Sequence, residues 1–131
     1  MKWQPAPDIT TRIQFLVENL GFIKFDTQRI FCFRSWGSSG RATARIWSLP
    51  TIWQVALNTK AGYCLEVISE KFDRLSMPEQ EKVLIHELLH IPKGFTGGLV
   101  PHRTQKRRLF RHYHDTVETL FNSLSRKSYT K

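Results

Sequence analysis

Ile9, Ile13, Leu16, Val17 and Leu20 recur at the spacing that lines one face of an α-helix, and they predict a first amphipathic helix over residues 9–20. Asp8 stands where a side chain caps the first turn, and Gly21 where a left-handed residue ends the last. The next apolar run, Ile30-Phe31-Cys32-Phe33 within residues 28–36, is short, continuous and rich in aromatic and branched side chains. It reads as a strand buried on both faces. Trp36-Gly37-Ser38-Ser39-Gly40 is a turn, so residues 42–47 are expected to return as the second strand of a hairpin. Pro50 opens a short helix through Leu57, Lys60-Ala61-Gly62 breaks it, and residues 63–69 form a third strand.

The clearest helix start follows. Ser76 precedes Glu79 by three residues with Pro78 between them, the capping-box arrangement, and the helix runs through Val83, Leu84, Leu88 and Ile91 until Pro92 stops it. Pro92, Gly94, Gly97, Gly98 and Pro101 mark a loop. Leu109, Tyr113, Val117, Leu120 and Leu124 then describe a last amphipathic helix, basic on its outer side, over about residues 103–125. The expected architecture is α+β: one domain over residues 1–131, with a mixed or antiparallel sheet of about three strands packed against three main helices.

Composition narrows the class. Hydrophobic residues make up 40% of the 131, enough for a packed core and too many for wholesale disorder. No stretch reaches the roughly 20 apolar residues of a membrane span. The opening residues lack the apolar run of a secretory signal, and two cysteines are too few for a disulfide scaffold, so a cytoplasmic location is expected. The net charge of +9 is uneven: residues 103–131 hold eight basic and two acidic side chains, six of the nine charges. Such a segment attracts phosphate backbones or acidic partners, or is simply a solvated helix face.

His86-Glu87-Leu88-Leu89-His90 carries the chemistry. Histidines four apart are about 400° apart around a helix, so both imidazoles leave the same face and can supply two ligands of a single Zn²⁺. Glu87 follows the first by about 100°, from where a carboxylate reaches a metal-activated water without entering the coordination shell. A surface pair of histidines would share the spacing, but Val83, Leu84, Leu88, Leu89 and Ile91 make this helix mostly buried, where imidazoles need partners. His102, separated from His90 by eleven residues, is the expected third ligand, because the glycines between let the chain fold back. Glu118 or Asp115 would complete a His-His-carboxylate set instead, and His112 and His114 are further rivals. Arg103, Tyr113 and His112 are the candidates for steadying the developing oxyanion. The strand at residues 63–69 reads first as sheet core, and otherwise as an edge on which an extended peptide substrate adds.

The segments ARIWSLPTIWQVAL and YCLEVISEKFDRLSMPEQEKVLIHELLHIPKGFTGGLVPHR resemble the phage-type metallopeptidase domains of archaea and their viruses, small zincins related in outline to SprT-like and minigluzincin proteases. The resemblance covers about residues 44–103 and implies a zincin-like fold. It also implies a site made of His86, Glu87, His90 and His102, with zinc as cofactor. Metzincins place five residues between their second and third histidines, against eleven here, and carry Gly where this chain has Lys93.

A second class competes with the peptidase. Lys106, Arg107, Arg108 and Arg111, interleaved with Phe110 and Tyr113, would serve a basic nucleic-acid-binding or regulatory domain whose zinc is structural or vestigial. The two readings join in a protease that cuts DNA-bound proteins. A structural site closes with four protein ligands, for which Cys32 and Cys64 are the spare thiols, whereas a catalytic one keeps a position open.

Overall fold

The computed structural model describes residues 1–101 and 114–124. In chain order the elements are β1 (Lys2–Pro5), α1 (Pro7–Asn19), β2 (Ile30–Trp36), β3 (Ala44–Ser48), α2 (Thr51–Leu57), β4 (Tyr63–Ile68), α3 (Ser69–Phe72) and α4 (Met77–Leu89). A last helix, α5, covers residues 114–124. The architecture is α+β, as expected; of the two expected sheet types, mixed or antiparallel, the sheet is mixed, and β1 adds a fourth strand.

The sheet order is β1-β2-β4-β3, with β2 and β4 parallel and the other pairs antiparallel. The hairpin expected from the turn after Trp36 therefore does not form, because β4 lies between β2 and β3. Burial explains the insertion. Five of the six β4 residues are buried (Tyr63, Leu65, Glu66, Val67 and Ile68), and so apolar a strand is best hydrogen-bonded along both sides. It follows that β4 has no edge to offer a peptide. Residues 63–69 are thus sheet core, the first of their two expected readings; the alternative, a docking edge, is corrected in favour of β3, which ends the sheet among the described residues.

Tyr63, Leu65 and Val67 of β4 share one cluster with Ile9, Ile13 and Leu16 of α1, Leu84, Ile85 and Leu88 of α4, and Val117 and Leu124 of α5. These helices thus bury their stripes against one side of the sheet. The other side is open only in part: Ser35, Glu66 and Ile68 are buried there, whereas Phe31, expected to be buried, is 45% exposed. α1 begins at Pro7 with Ala6 as its N-cap and no side-chain cap bond, so Asp8 does not cap it. Asp8 instead accepts a hydrogen bond from Arg34 (2.7 Å), and this bond holds its carboxyl below the usual range. At the other end Gly21 takes φ 82°, the left-handed turn its position predicts. No helix among the described residues is long and apolar enough to cross a membrane.

Candidate metal centre

α4 starts where Ser76 and Glu79 predict. The Ser76 hydroxyl accepts from the Glu79 backbone N–H (3.3 Å), and the Glu79 carboxylate accepts from the Ser76 N–H (3.2 Å). Leu84, Ile85 and Leu88 are fully buried in the core, which fixes the helix in rotation. That rotation leaves His86 and His90 partly exposed on the flank toward β3.

The two imidazoles converge. Their Nε2 atoms lie 3.3 Å apart, with ring centroids 5.0 Å apart and planes at 74°. His90 Nδ1 faces the Val100 carbonyl, and the Val100 N–H returns a bond to the His90 carbonyl (2.7 Å). A carbonyl oxygen only accepts, so Nδ1 carries the proton. In the neutral ring Nε2 is then a bare lone pair aimed at His86. At this separation either one imidazole donates to the other or a cation sits against both. Two nitrogens about 2.0–2.1 Å from a tetrahedral zinc stand about 3.3 Å from each other, so the separation of the pair is compatible with that ion.

Glu87 is 8% exposed and lines two adjoining cavities. One, of about 500 Å³, includes His86, Ala44, His114 and Glu118; the other, of about 420 Å³, includes His90, Ile46, Val100 and Pro101. Burial pushes the Glu87 carboxyl up to about 7, since a charge in this setting loses hydration. A cation at the histidines would pull it back down.

The loop after α4 is brought to the site by contacts that sequence spacing does not reveal. Tyr63, at the start of β4, accepts from the Gly97 N–H (2.8 Å) and donates its hydroxyl to the Gly98 carbonyl (2.9 Å). Gln54 of α2 donates to the carbonyls of Leu49 (2.9 Å) and Thr96 (3.2 Å). Gly97 sits at φ 102°, and a Cβ there would meet the Gln54 amide and the Leu49 carbonyl, so a larger residue would break this seam. The loop ends with Val100 and Pro101 on the cavity that holds His90. The only sequence signal for the Tyr63 anchor is that a buried tyrosine hydroxyl needs a partner.

The remaining candidates divide. Glu118 shares a cavity with His86 and Glu87, but its carboxylate pairs with Lys82 (3.0 Å). Asp115 and His114 are exposed at the start of α5. Among the described residues no three His, Cys, Asp or Glu side chains are grouped to hold a metal ion. Cys32 lies in the core, where burial pushes its thiol up to about 11. Cys64, one strand over, falls on the opposite face of the sheet, so the two thiols do not form a ligand pair. His102, Arg103, Lys106, Arg107, Arg108, Arg111, His112 and Tyr113 lie outside the described residues.

No curated protein and no solved structure matches the chain. A family match does exist, and it runs well beyond the segments around the histidine helix, taking in β1, α1 and the whole sheet. Over residues 1–125 the chain matches the family described as putative phage metallopeptidase, and it belongs to that family.

Proposed function

We propose that the chain is a zinc-dependent peptidase in which His86, His90 and His102 hold one Zn²⁺ and Glu87 is the general base. The observation that carries this reading is the 3.3 Å approach of the two Nε2 atoms beside a buried carboxyl. His102 follows Pro101 directly, and Pro101 already lines the His90 cavity, which favours it over Glu118 with its Lys82 partner. When bound, zinc supplies a Lewis acid and a site where water ionises near neutral pH. Glu87 takes a proton from the water that attacks the peptide carbonyl and passes it to the departing amine. Its shielded position keeps bulk water from competing for that proton.

One measurement tests the assignment. The purified chain is expected to carry one zinc, to hydrolyse an unfolded protein substrate, to lose that activity when a strong chelator strips the metal, and to regain it with one equivalent of Zn²⁺. Activity that survives complete metal removal would defeat the proposal.

β3 is where the substrate docks in this reading. Leu49 donates to the Gly62 carbonyl and Ile68 to the Thr43 carbonyl, so residues 43, 45, 47 and 49 bond to β4. Ala44, Ile46 and Ser48 therefore turn their N–H and C=O groups outward. Ala44 and Ile46 line the cavities that contain Glu87, so a peptide paired with this edge passes the base. Ile46→Pro removes an outward donor without removing a bond to β4. It is expected to raise KM about ten-fold or more, the loss of roughly one hydrogen bond to a substrate. Ile46→Ala, which trims the side chain but keeps the N–H, should leave KM within a few-fold of wild type. Equal KM values for the two variants would remove β3 as the docking edge.

A further inference from the structure

The open face of the sheet has a composition that the peptidase reading does not use. Strand alternation and register place Trp3 of β1, Phe31 and Phe33 of β2, Cys64 and Glu66 of β4, and Arg45 and Trp47 of β3 on it together. Trp3, Phe31 and Trp47 are 54%, 45% and 52% exposed, and all three stand outside the core cluster. The acid on this face is neutralised and covered: Glu66 accepts from the Trp47 indole N–H (2.8 Å) and pairs with Arg45 (3.5 Å). A cation is built in beside the rings. The Arg29 guanidinium lies 5.7 Å from the Phe31 centroid, fixed by the carbonyls of Lys60 (2.8 Å) and Ala61 (3.2 Å) and by the Thr59 hydroxyl (3.1 Å).

We propose that this face binds single-stranded nucleic acid, with bases stacked on Trp3, Phe31 and Trp47 and phosphates met by Arg29. Charge selects the occupant. A second copy of the chain would bring +9 against +9, whereas a polyanion is attracted; six of those charges lie in residues 103–131, so on this face the attraction is that of the Arg29 guanidinium fixed beside Phe31. The rings select the strand state, because a duplex keeps its base faces inside and only unpaired bases can stack on exposed aromatics. Phe31 and Phe33 stand about 7 Å apart along β2, with Trp47 about 10 Å from Phe31 across β4, a platform for two or three bases. None of the residues named here belongs to the basic segment at residues 106–111.

The test is fluorescence anisotropy of the full-length chain with labelled 12-nucleotide oligo(dT) and oligo(rU), at 50 and 200 mM salt. Affinity for one or both is expected, weaker at high salt, and the preferred oligomer identifies DNA or RNA as the source. Trp3→Ala with Phe31→Ala should weaken binding about ten-fold or more, the loss expected when stacking rings are removed. Phe31→Trp should retain it, and all these variants should hydrolyse peptide as wild type does. Any of four results overturns the proposal: no binding of either oligomer at 50 mM salt; affinity unchanged in the double variant; loss only when Lys106, Arg107 and Arg108 are replaced; or a double variant that instead loses self-association or adhesion to anionic vesicles.

Discussion

Glu87→Gln should leave one zinc bound per chain and lower kcat by about 10²- to 10⁴-fold, the range that a positioned general base supplies. The substitution keeps the size and shape of the side chain, and His86 and His90 retain their approach from the same helix face. What disappears is the capacity to accept a proton from the attacking water. Zinc content by elemental analysis and steady-state hydrolysis of a quenched peptide separate the two effects. A variant that cleaves as fast as wild type would remove Glu87 from the chemistry, and one that loses its metal would make it a ligand or a support for one.

The same variant has a second signature without metal. The folded-state carboxyl is raised from an ordinary 4.5 to about 7 by burial, so folding favours the protonated form. For this group the metal-free protein is most stable below about pH 4.5, loses stability as the pH climbs toward 7, and changes little above that. By linkage the loss approaches about 3 kcal/mol. Glu87→Gln cannot ionise, so the metal-free variant should lack this decline between pH 5 and 8 in urea denaturation. If wild type and variant decline in parallel, some other group is responsible.

The parts of the molecule set by neighbours in the chain were legible from its letters. α4 is the clearest case, since Ser76 and Glu79 satisfy each other across one turn and the apolar stripe continues from them. The histidine pair and Glu87 follow from helical geometry alone. The strand order was not legible, because a turn between two strands reads the same whether they pair or a third strand enters. What decides here is that β4 is nearly all buried and takes partners on both sides. β1 escaped notice for the opposite reason: Lys2, Trp3, Gln4 and Pro5 are all exposed and carry no alternation to read. The loop anchors were invisible for a third reason. Tyr63 and Gln54 are more than thirty residues from the loop atoms they hold, and only the fold brings them there. Asp8 shows local chemistry joined by a distant partner, since the Arg34 guanidinium binds its carboxylate from β2 and the N-cap position falls to Ala6.

His86→Ala and His90→Ala should each abolish stable zinc binding, and His102→Ala should do the same if the third ligand is the residue after Pro101. The loss should exceed the roughly 10–100-fold in affinity that removing an outer-shell partner costs. Titration against a competing chelator measures it, and thermal melts provide an independent check. A ligand bound only by the folded chain stabilises it by about 4 kcal/mol at a thousand times its dissociation constant, so saturating zinc should raise Tm in wild type and not in the histidine variants. Glu118→Gln is the comparison that decides the set. Glu118 sits near His86 but is neutralised by Lys82, so its replacement should break a surface ion pair and leave zinc affinity unchanged. The reverse outcome, with His102→Ala binding as wild type and Glu118→Gln failing, would assign a His-His-carboxylate centre and require Lys82 to release Glu118. Three imidazoles leave the metal centre dipositive, while two imidazoles and a carboxylate leave it with a single positive charge. The two outcomes thus predict different attraction for the developing oxyanion at the cavity beside Glu87.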